Sequence, residues 1–287
     1  MDKGIIIKSI SGFYYVKADN GVIRCKAKGK FKYDGLSPLV GDNVEFNNEG
    51  IITQVFERKN YFIRPAVANV DSLVFVASNV LPVTDPFLID RISVIAQSYD
   101  CELVICINKT DLDPGDELYN IFSNSGFKIC RTSAKTGEGI DDLKAMLQGK
   151  ISAFTGNSGV GKSSLLNCIL PSADIETGDI SEKLGRGKHT TRHVELYMLN
   201  DTTFIADTPG FASFDIEMMN MIEAKDLASL FIDFNKYTDG CRFNDCMHIN
   251  EPGCSLKNAL ADGLIEKSRY NSYLRLYDIV KNHRSWD

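Results

Sequence analysis

One octapeptide constrains the fold more than any other feature of this 287-residue sequence: Gly156-Asn157-Ser158-Gly159-Val160-Gly161-Lys162-Ser163. It matches the phosphate-loop (P-loop) pattern G-x-x-x-x-G-K-[S/T], with the apolar run Ile151–Phe154 before it and a helical pattern, Lys162–Ile169, after it. In such a loop the backbone N–H groups and the helix N-terminus bind phosphates. Lys162 reaches the β- and γ-phosphates, and the Ser163 hydroxyl ligates Mg²⁺. We predict a nucleotide phosphate site that includes these eight residues and Ser164.

The tetrapeptide Asn108-Lys109-Thr110-Asp111 predicts which base is bound. It follows the apolar run Leu103–Ile107, and its Asp111 carboxylate can accept two hydrogen bonds from guanine, through the ring N–H and the exocyclic amine. Adenine offers no such donor pair. We expect Asn108 to contact the purine edge and Lys109 to pack over the nucleotide.

Two further loops complete the predicted nucleotide site. Ser133-Ala134-Lys135 follows the predicted strand Phe127–Cys130, and its backbone N–H can meet the base carbonyl. Asp207-Thr208-Pro209-Gly210 ends the predicted strand Thr203–Ala206. There Asp207 would hold Mg²⁺ through water, and the Gly210 N–H would sense the γ-phosphate. The next residue, Phe211, cannot orient the attacking water as the glutamine of many GTPases does, so we expect slow intrinsic hydrolysis.

The order of these motifs is unusual, because the base-recognition motifs precede the P-loop. A circular permutation accounts for it: the predicted helix Ile140–Leu147 leads through the turn at 148–150 into the P-loop strand. All the motifs then still meet at the carboxyl ends of the strands, where α/β sheets bind ligands. The alternation of strands and helices predicts a mostly parallel sheet flanked by helices. Its strands are predicted at Ser72–Ala77, Glu102–Ile107, Phe127–Cys130, Ile151–Phe154 and Thr203–Ala206.

The first sixty residues differ in pattern and in charge. Five short apolar segments separated by turn residues predict a small β-barrel of the OB type, although an SH3-like barrel fits the same pattern. The segments are Gly4–Ile10, Gly12–Ala18, Val22–Phe31, Asp42–Asn47 and Gly50–Phe56. Residues 1–60 carry ten Lys and Arg against seven Asp and Glu, whereas the rest of the chain carries 22 against 31.

A basic stripe lies on the third of these segments. Its cations alternate with other residues, which in a strand places all of them on one face: Arg24, Lys26, Lys28, Lys30 and Lys32. An RNA backbone would balance these charges, and Phe13, Tyr14 or Tyr15 would stack on bases. The alternative is a solvated basic strand that protects a sheet edge.

Three cysteines and a histidine crowd into fourteen residues: Cys241, Cys246, His248 and Cys254. Three thiolates and one imidazole complete a tetrahedral structural Zn²⁺ site, with no open position for catalysis. The other five cysteines are scattered singly and are expected to be ordinary buried thiols. Residues 217–237 and 255–283 have helical patterns. We therefore expect three domains: an OB-fold RNA-binding domain (1–65), a permuted GTPase domain (66–215) and a helical zinc-binding domain (216–287).

Taken together, the β-barrel start, the permuted motif order and the spacing C-x4-C-x-H-x5-C resemble the ribosome small subunit-dependent GTPase A family over essentially the whole chain. The resemblance implies a GTPase that binds the small (30S) ribosomal subunit and its 16S rRNA, acts late in subunit maturation, and is stimulated by the subunit. A guanine-nucleotide-sensing RNA-binding module with negligible turnover is the alternative, as is a GTPase with another target. No stretch is long and apolar enough for a membrane span, the apolar run at the N-terminus is too short for a signal peptide, and we expect a cytoplasmic monomer.

The resemblance also identifies a switch I segment, residues 185–191. Thr190 or Thr191 should ligate Mg²⁺ in the GTP state, and Thr191 is favoured. The family usually has a third threonine, and this chain has Arg192 there. We hypothesise that His189 acts on the attacking water when RNA orders the loop. Lys162 and Gly210 are the other expected catalytic residues. The alternative for His189 is a solvated loop histidine.

Overall fold

A computed structural model of the chain describes residues 1–29, 31, 37–63, 65–170, 194–207, 219 and 221–283. The first five strands are β1 (Asp2–Ile10), β2 (Phe13–Ala18), β3 (Gly21–Ala27), β4 (Asn43–Phe46) and β5 (Ile51–Val55). They pair in the order β1-β2-β3-β5-β4, and β4 pairs back onto β1, which closes a barrel. The parallel β3–β5 pair and this closure confirm the OB-type barrel over the SH3-like alternative.

The third strand is shorter than predicted, so the expected stripe of five cations on one face is wrong. β3 ends at Ala27, the Phe31 N–H donates to the Lys28 carbonyl, and Phe31 is buried in the core. The chain thus leaves the sheet after Ala27 in a turn, and Phe31 packs in the core instead of continuing the strand. Arg24 and Lys26 do share the exposed face of β3. Lys30 and Lys32 lie outside the described residues.

The barrel is followed by the predicted α/β unit, and its sheet is mostly parallel. Strands β10 (Lys128–Arg131), β9 (Glu102–Ile107), β8 (Ser72–Ala77), β11 (Ile151–Thr155) and β13 (Thr203–Asp207) are parallel neighbours in that order. The helices of this unit are α1 (Pro86–Ser98), α2 (Asp116–Phe122), α3 (Ile140–Leu147) and α4 (Lys162–Ile169). Every residue of β8 and β11 is buried, which is the pattern of strands covered on both faces.

A strand that the sequence did not predict joins the two units. β12 (Glu195–Asn200) pairs antiparallel with β13 and also with β1, where Lys8 lies opposite Glu195. The Lys8 ammonium and the Glu195 carboxylate are 2.7 Å apart. The barrel and the GTPase sheet are therefore one eleven-stranded sheet. A separate hairpin, β6 (Tyr61–Ile63) and β7 (Ala66–Ala68), follows the barrel.

The C-terminal part is helical, as expected. The described part of residues 217–237 has two short 3₁₀-helices, Leu227–Leu230 and Phe234–Tyr237, and farther along lie α5 (Ser255–Ala261) and α6 (Lys267–His283). Phe231 and Phe234 stack at 4.8 Å, and each forms an edge-to-face pair with the Tyr273 ring. The two 3₁₀-helices thus place both phenylalanines in one aromatic cluster with α6. Within the described ranges, no helix is both long and apolar enough to cross a membrane.

Candidate nucleotide and metal sites

The P-loop leaves β11 and enters α4 with a backbone that requires glycine. Gly156 has φ +133°, and a Cβ there would lie 2.2 Å from the Val76 carbonyl oxygen. Gly161 has φ +96° and precedes the first residue of α4. Positive φ and close backbone contact together exclude other residue types. The loop therefore presents its N–H groups at the N-terminus of α4, as phosphate binding requires.

Lys162 lies where a phosphate-binding lysine is expected. Its ammonium donates to the carbonyls of Gly156 at 2.6 Å and Asn157 at 2.7 Å. Burial lowers the pKa of Lys162. A phosphate oxygen is a stronger acceptor than these carbonyls, so the ammonium is poised to turn towards an anion. Ser163 follows it, half-buried in the first turn of α4, and Ser164 is exposed.

Asn108 has a different environment from the one expected. Its side chain is buried, and the amide Nδ2 donates to the Val160 carbonyl at 2.9 Å. Its Oδ1 accepts from the Thr132 hydroxyl at 3.2 Å and from the Ala134 N–H at 3.1 Å. Asn108 thus ties the P-loop to the loop after β10. Its contact with the purine edge stays a prediction, and the Val160 and Thr132 partners were not foreseen.

The Asp111 carboxylate lies beside the loop after β10. Its Oδ1 accepts from the Ser133 hydroxyl at 2.7 Å, and its Oδ2 is 3.8 Å from the Lys135 ammonium. The Ser133 oxygen also accepts from the Thr136 N–H at 3.2 Å. The backbone N–H of Thr110 donates to the Thr132 carbonyl at 3.1 Å. The structure therefore brings the two base-recognition motifs together and fixes the carboxylate.

The loop 79–84 after β8 flanks the P-loop, and the sequence analysis did not identify it. The Lys109 ammonium donates to the Leu81 carbonyl at 2.7 Å, and Lys109 has φ +69°. A Cβ on Gly159 would lie 3.2 Å from Pro82 Cδ. This loop therefore touches both the base-recognition motif and the P-loop.

The remaining predicted nucleotide residues are not all described. Asp207 ends β13, at the same edge of the sheet as the P-loop, and only its backbone is described. Residues 171–193 and 208–218 lie outside the described residues, and with them the predicted positions of His189, Thr190, Thr191 and Gly210.

The four expected zinc ligands come together. One ligand atom each from Cys241, Cys246, His248 and Cys254 lies within 4.8 Å of the others. His248 Nδ1 is 3.6 Å from the Cys241 sulfur and 3.4 Å from the Cys254 sulfur. Zinc–ligand bonds of about 2.0–2.3 Å fit a cluster of this size. Burial lowers the pKa of His248, which favours the neutral imidazole that a metal needs.

Neighbouring residues hold the metal-ligand loop in shape. The Glu251 carboxylate accepts from the N–H groups of Met247 at 2.9 Å, Ile249 at 2.8 Å and Asn250 at 3.0 Å. His248 itself has φ +58°. Since Glu251 fixes the backbone on both sides of His248, the imidazole is oriented by the protein.

On the exposed face of the barrel, two cations surround one aromatic ring. The Arg24 guanidinium lies 3.6 Å from the centroid of the Phe13 ring, and the Lys26 ammonium lies 4.9 Å from it. Phe13 pairs with Lys26, and Tyr15 with Arg24, across β2 and β3. Cations beside aromatic side chains are the composition of single-stranded nucleic-acid surfaces.

Comparison with known proteins agrees with this fold and these motifs. The family descriptions that match are "RsgA GTPase" over residues 55–217 and "RsgA N-terminal domain" over residues 3–52. Curated relatives named "Small ribosomal subunit biogenesis GTPase RsgA" include that of Caldanaerobacter subterraneus subsp. tengcongensis, 44% identical over 97% of this chain and 96% of its own. That of Alkaliphilus metalliredigens is 43% identical over the full length of both chains.

Solved structures agree as well. YjeQ from Thermotoga maritima superposes with a TM-score of 0.85 and 38% identity, covering 99% of both chains. YloQ, described as a circularly permuted GTPase, superposes with a TM-score of 0.83 and 35% identity over 100% of this chain and 97% of its own. The permutation inferred from motif order is thereby confirmed, and the chain belongs to the RsgA GTPase family.

Proposed function

We propose that this GTPase acts in the biogenesis of the small ribosomal subunit, which it binds through 16S rRNA as a cytoplasmic monomer. The observation that carries the proposal is identity of 43–44% over nearly the full length of curated relatives whose names state that role. The barrel with its basic, aromatic face supports an RNA partner. The reaction is the hydrolysis of GTP to GDP and phosphate.

Guanine is selected at the Asp111 carboxylate. Asp111 is held by the Ser133 hydroxyl and lies near Lys135, so its lone pairs keep a fixed direction towards the base. The Ala134 N–H donates to the Asn108 side chain, and this hydrogen bond holds the 133–135 loop in place. The same loop is the one expected to meet the carbonyl of the base. The geometry supports a guanine site in which both motifs are pre-assembled.

The phosphates bind at the P-loop, whose backbone N–H groups converge at the start of α4. Lys162 stabilises negative charge on the β- and γ-phosphates. The residues that would hold Mg²⁺ are the Ser163 hydroxyl, Thr191 and, through water, Asp207; the ion supplies charge neutralisation between the phosphates. The Gly210 N–H contacts the γ-phosphate and so distinguishes GTP from GDP.

Water activation rests on switch I. Phe211 offers no group that orients water, and His189 directly precedes the two threonines of the switch. His189 therefore positions the water once the ribosomal subunit orders that segment. An alanine variant, His189→Ala, keeps GTP affinity but loses most subunit-stimulated turnover; a stimulated rate equal to the wild type overturns this role.

Each of three domains has its own role. Residues 1–65 bind RNA, residues 66–215 hydrolyse GTP, and residues 216–287 form a domain that zinc stabilises. The Cys and His ligands support zinc as a structural ion, since all four tetrahedral positions are taken by protein. The zinc domain follows the γ-phosphate-sensing Gly210 directly along the chain.

Phosphate release tests the proposal. The rate is measured with GTP alone, with GTP and purified small subunits, and with ATP and small subunits. Strong stimulation by small subunits that occurs with GTP and not with ATP supports it. Equal rates with and without small subunits overturn the ribosomal role, while leaving the family membership intact.

A further inference from the structure

The helix α6 of the C-terminal part is joined to α1 of the GTPase unit by a buried ion cluster. Arg269 is fully buried; its Nε donates to Asp233 Oδ2 at 2.8 Å and its Nη2 to Asp233 Oδ1 at 2.5 Å. Its Nη1 donates to Asp90, which lies on α1, 179 residues earlier in the chain. Three rings lie 5.2–5.5 Å from the guanidinium, those of Phe122, Phe127 and Phe231.

This cluster fixes the relative position of the two helices. A guanidinium presents its donors in a rigid planar fork, so Arg269 can serve Asp233 with two donors and Asp90 with a third at once. A lysine ammonium in the same place has no such fork. Because the group is fully buried, loss of the guanidinium leaves two carboxylates without their shared partner.

Helix α6 also holds the metal-ligand loop. The Tyr270 hydroxyl donates to the His248 carbonyl at 2.6 Å, and the Tyr273 hydroxyl donates to the Met247 carbonyl at 2.5 Å. Both tyrosines lie within about one turn of Arg269. The same helix therefore contacts the metal-ligand loop and the GTPase unit.

Helix α1, in turn, continues from the loop that flanks the nucleotide site. The Thr84 hydroxyl accepts from the Ser78 N–H at 2.9 Å, and the Asp85 side chain accepts from Phe87 N at the start of α1. The Arg275 guanidinium of α6 lies 3.7 Å from the Phe87 ring centroid. The Ser78–Thr84 hydrogen bond thus holds the two ends of loop 79–84 together, and the loop leads directly into α1. The first turn of α1 also contacts α6.

We propose that Arg269 is a positioning residue for guanine nucleotide binding. It holds α1 and, through α1, loop 79–84 against Lys109 and the P-loop, so that packing of the C-terminal part raises the affinity for nucleotide. Arg269 contacts no nucleotide itself. Binding and packing are linked reciprocally, so bound nucleotide also stabilises the C-terminal part against unfolding.

The test measures GDP affinity of the full-length protein with a fluorescent GDP analogue. Arg269→Met lowers affinity by about fivefold or more, the lower range of measured site-to-site couplings. Lys267→Met, a neighbouring exposed cation on the same helix, leaves affinity unchanged. A folded Arg269→Met protein with wild-type affinity overturns the proposal.

A double-mutant cycle separates positioning from general destabilisation. If Arg269 acts through the Lys109–Leu81 contact, Arg269→Met has little further effect on GDP affinity in a Lys109→Ala background. Fully additive effects of the two substitutions overturn that route. Should Arg269→Met fail to fold, Arg269→Lys decides, since it keeps the charge but not the planar fork that serves both carboxyl groups: a smaller loss of GDP affinity in the same direction supports the proposal, and none overturns it.

Discussion

The Asn108 amide donates to the Val160 carbonyl over 2.9 Å, which connects the predicted base-recognition motif to the P-loop. Base and phosphate recognition therefore share one rigid hydrogen-bonded unit. The same side chain accepts from Thr132 and Ala134, so three loops meet at one buried amide.

Replacing Asn108 should weaken nucleotide binding without changing which base is preferred. Asn108→Ala removes three hydrogen bonds, each worth about 1 kcal/mol net, and leaves the Val160 carbonyl and the Ala134 N–H unpaired. We expect GTP and GDP affinities to fall together by about tenfold or more. Titration calorimetry with GTP, GDP and ATP measures this. Asp111→Asn is the contrasting variant, because it should reduce the preference for guanine over adenine. An Asn108→Ala protein that binds GTP as tightly as the wild type but prefers it less strongly over ATP would contradict the prediction.

Gly161 should not tolerate a side chain. A Cβ there would lie 2.4 Å from Asn108 Nδ2, and its φ of +96° is unfavourable for other residues. Gly161→Ala should therefore lose most nucleotide affinity, while lowering thermal stability. Gly149→Ala is the matched control, since Gly149 also has positive φ but open space around its Cβ position. Similar losses of GDP affinity in both variants would refute the steric explanation.

The sequence predicted α3 and α4 with the bounds that the structure has, because local signals agree there. Gly139 and Gly161 precede the two helices, and the apolar spacing of each helix matches one buried face. By contrast, β12 was missed, since a strand that is only partly buried carries a weak alternating pattern.

Arg269 shows why other features could not be predicted. In the sequence it stands in a basic C-terminal segment with Lys267 and Arg275, a composition that fits solvent or RNA contact. The structure buries it between Asp90 and Asp233, at separations of 179 and 36 residues. Long-range pairing of this kind has no local signature in a single sequence.

Charge reversal on the barrel should weaken RNA binding. Arg24→Glu with Lys26→Glu removes the two cations around Phe13, and we expect small-subunit affinity to fall while GTP affinity is unchanged. The slope of log affinity against log salt should decrease by about one for each phosphate that the variant no longer neutralises. Lys144→Glu, on α3, is the control for charge reversal at a site away from the barrel. An unchanged salt slope in the double variant would argue for a solvated sheet edge instead.

Removal of one zinc ligand should release the metal and loosen the C-terminal part. If the cluster holds zinc, Cys246→Ser should lower the zinc content from one per chain towards zero. The melting temperature should fall with it, because a bound ion would close the loop that Glu251 and two tyrosines only partly hold. Metal analysis and thermal unfolding measure both effects. The control is Cys168→Ser, which replaces a cysteine outside the cluster and should retain zinc. A Cys246→Ser protein that still binds one zinc per chain would contradict the assignment of Cys246 as a zinc ligand.

Asp90 should give the protein an unusual pH dependence. Burial raises the pKa of Asp90 to about 7. The Arg269 guanidinium lowers this pKa in part, whereas the negative charge of Asp233 raises it further. The Ser272 hydroxyl also faces this carboxyl, yet Oδ2 accepts no hydrogen bond of normal geometry from the described residues. Two buried carboxylates sharing one guanidinium carry an excess negative charge, and Asp90, with the single donor, is the one that takes up the proton.

The sign of the effect follows from the raised pKa. In the unfolded chain Asp90 loses its proton near its ordinary pKa of 3.8, whereas the folded protein keeps the proton up to about pH 7. The stabilisation is therefore complete below pH 4 and is lost as the pH rises towards 7, at up to about 1.4 kcal/mol per pH unit. Asp90→Asn mimics the protonated acid and removes this slope. Denaturant unfolding of both proteins between pH 5 and 7 should show the wild type losing about 2 kcal/mol more than the variant. Parallel pH profiles of the two proteins would mean that Asp90 is ionised in the folded protein.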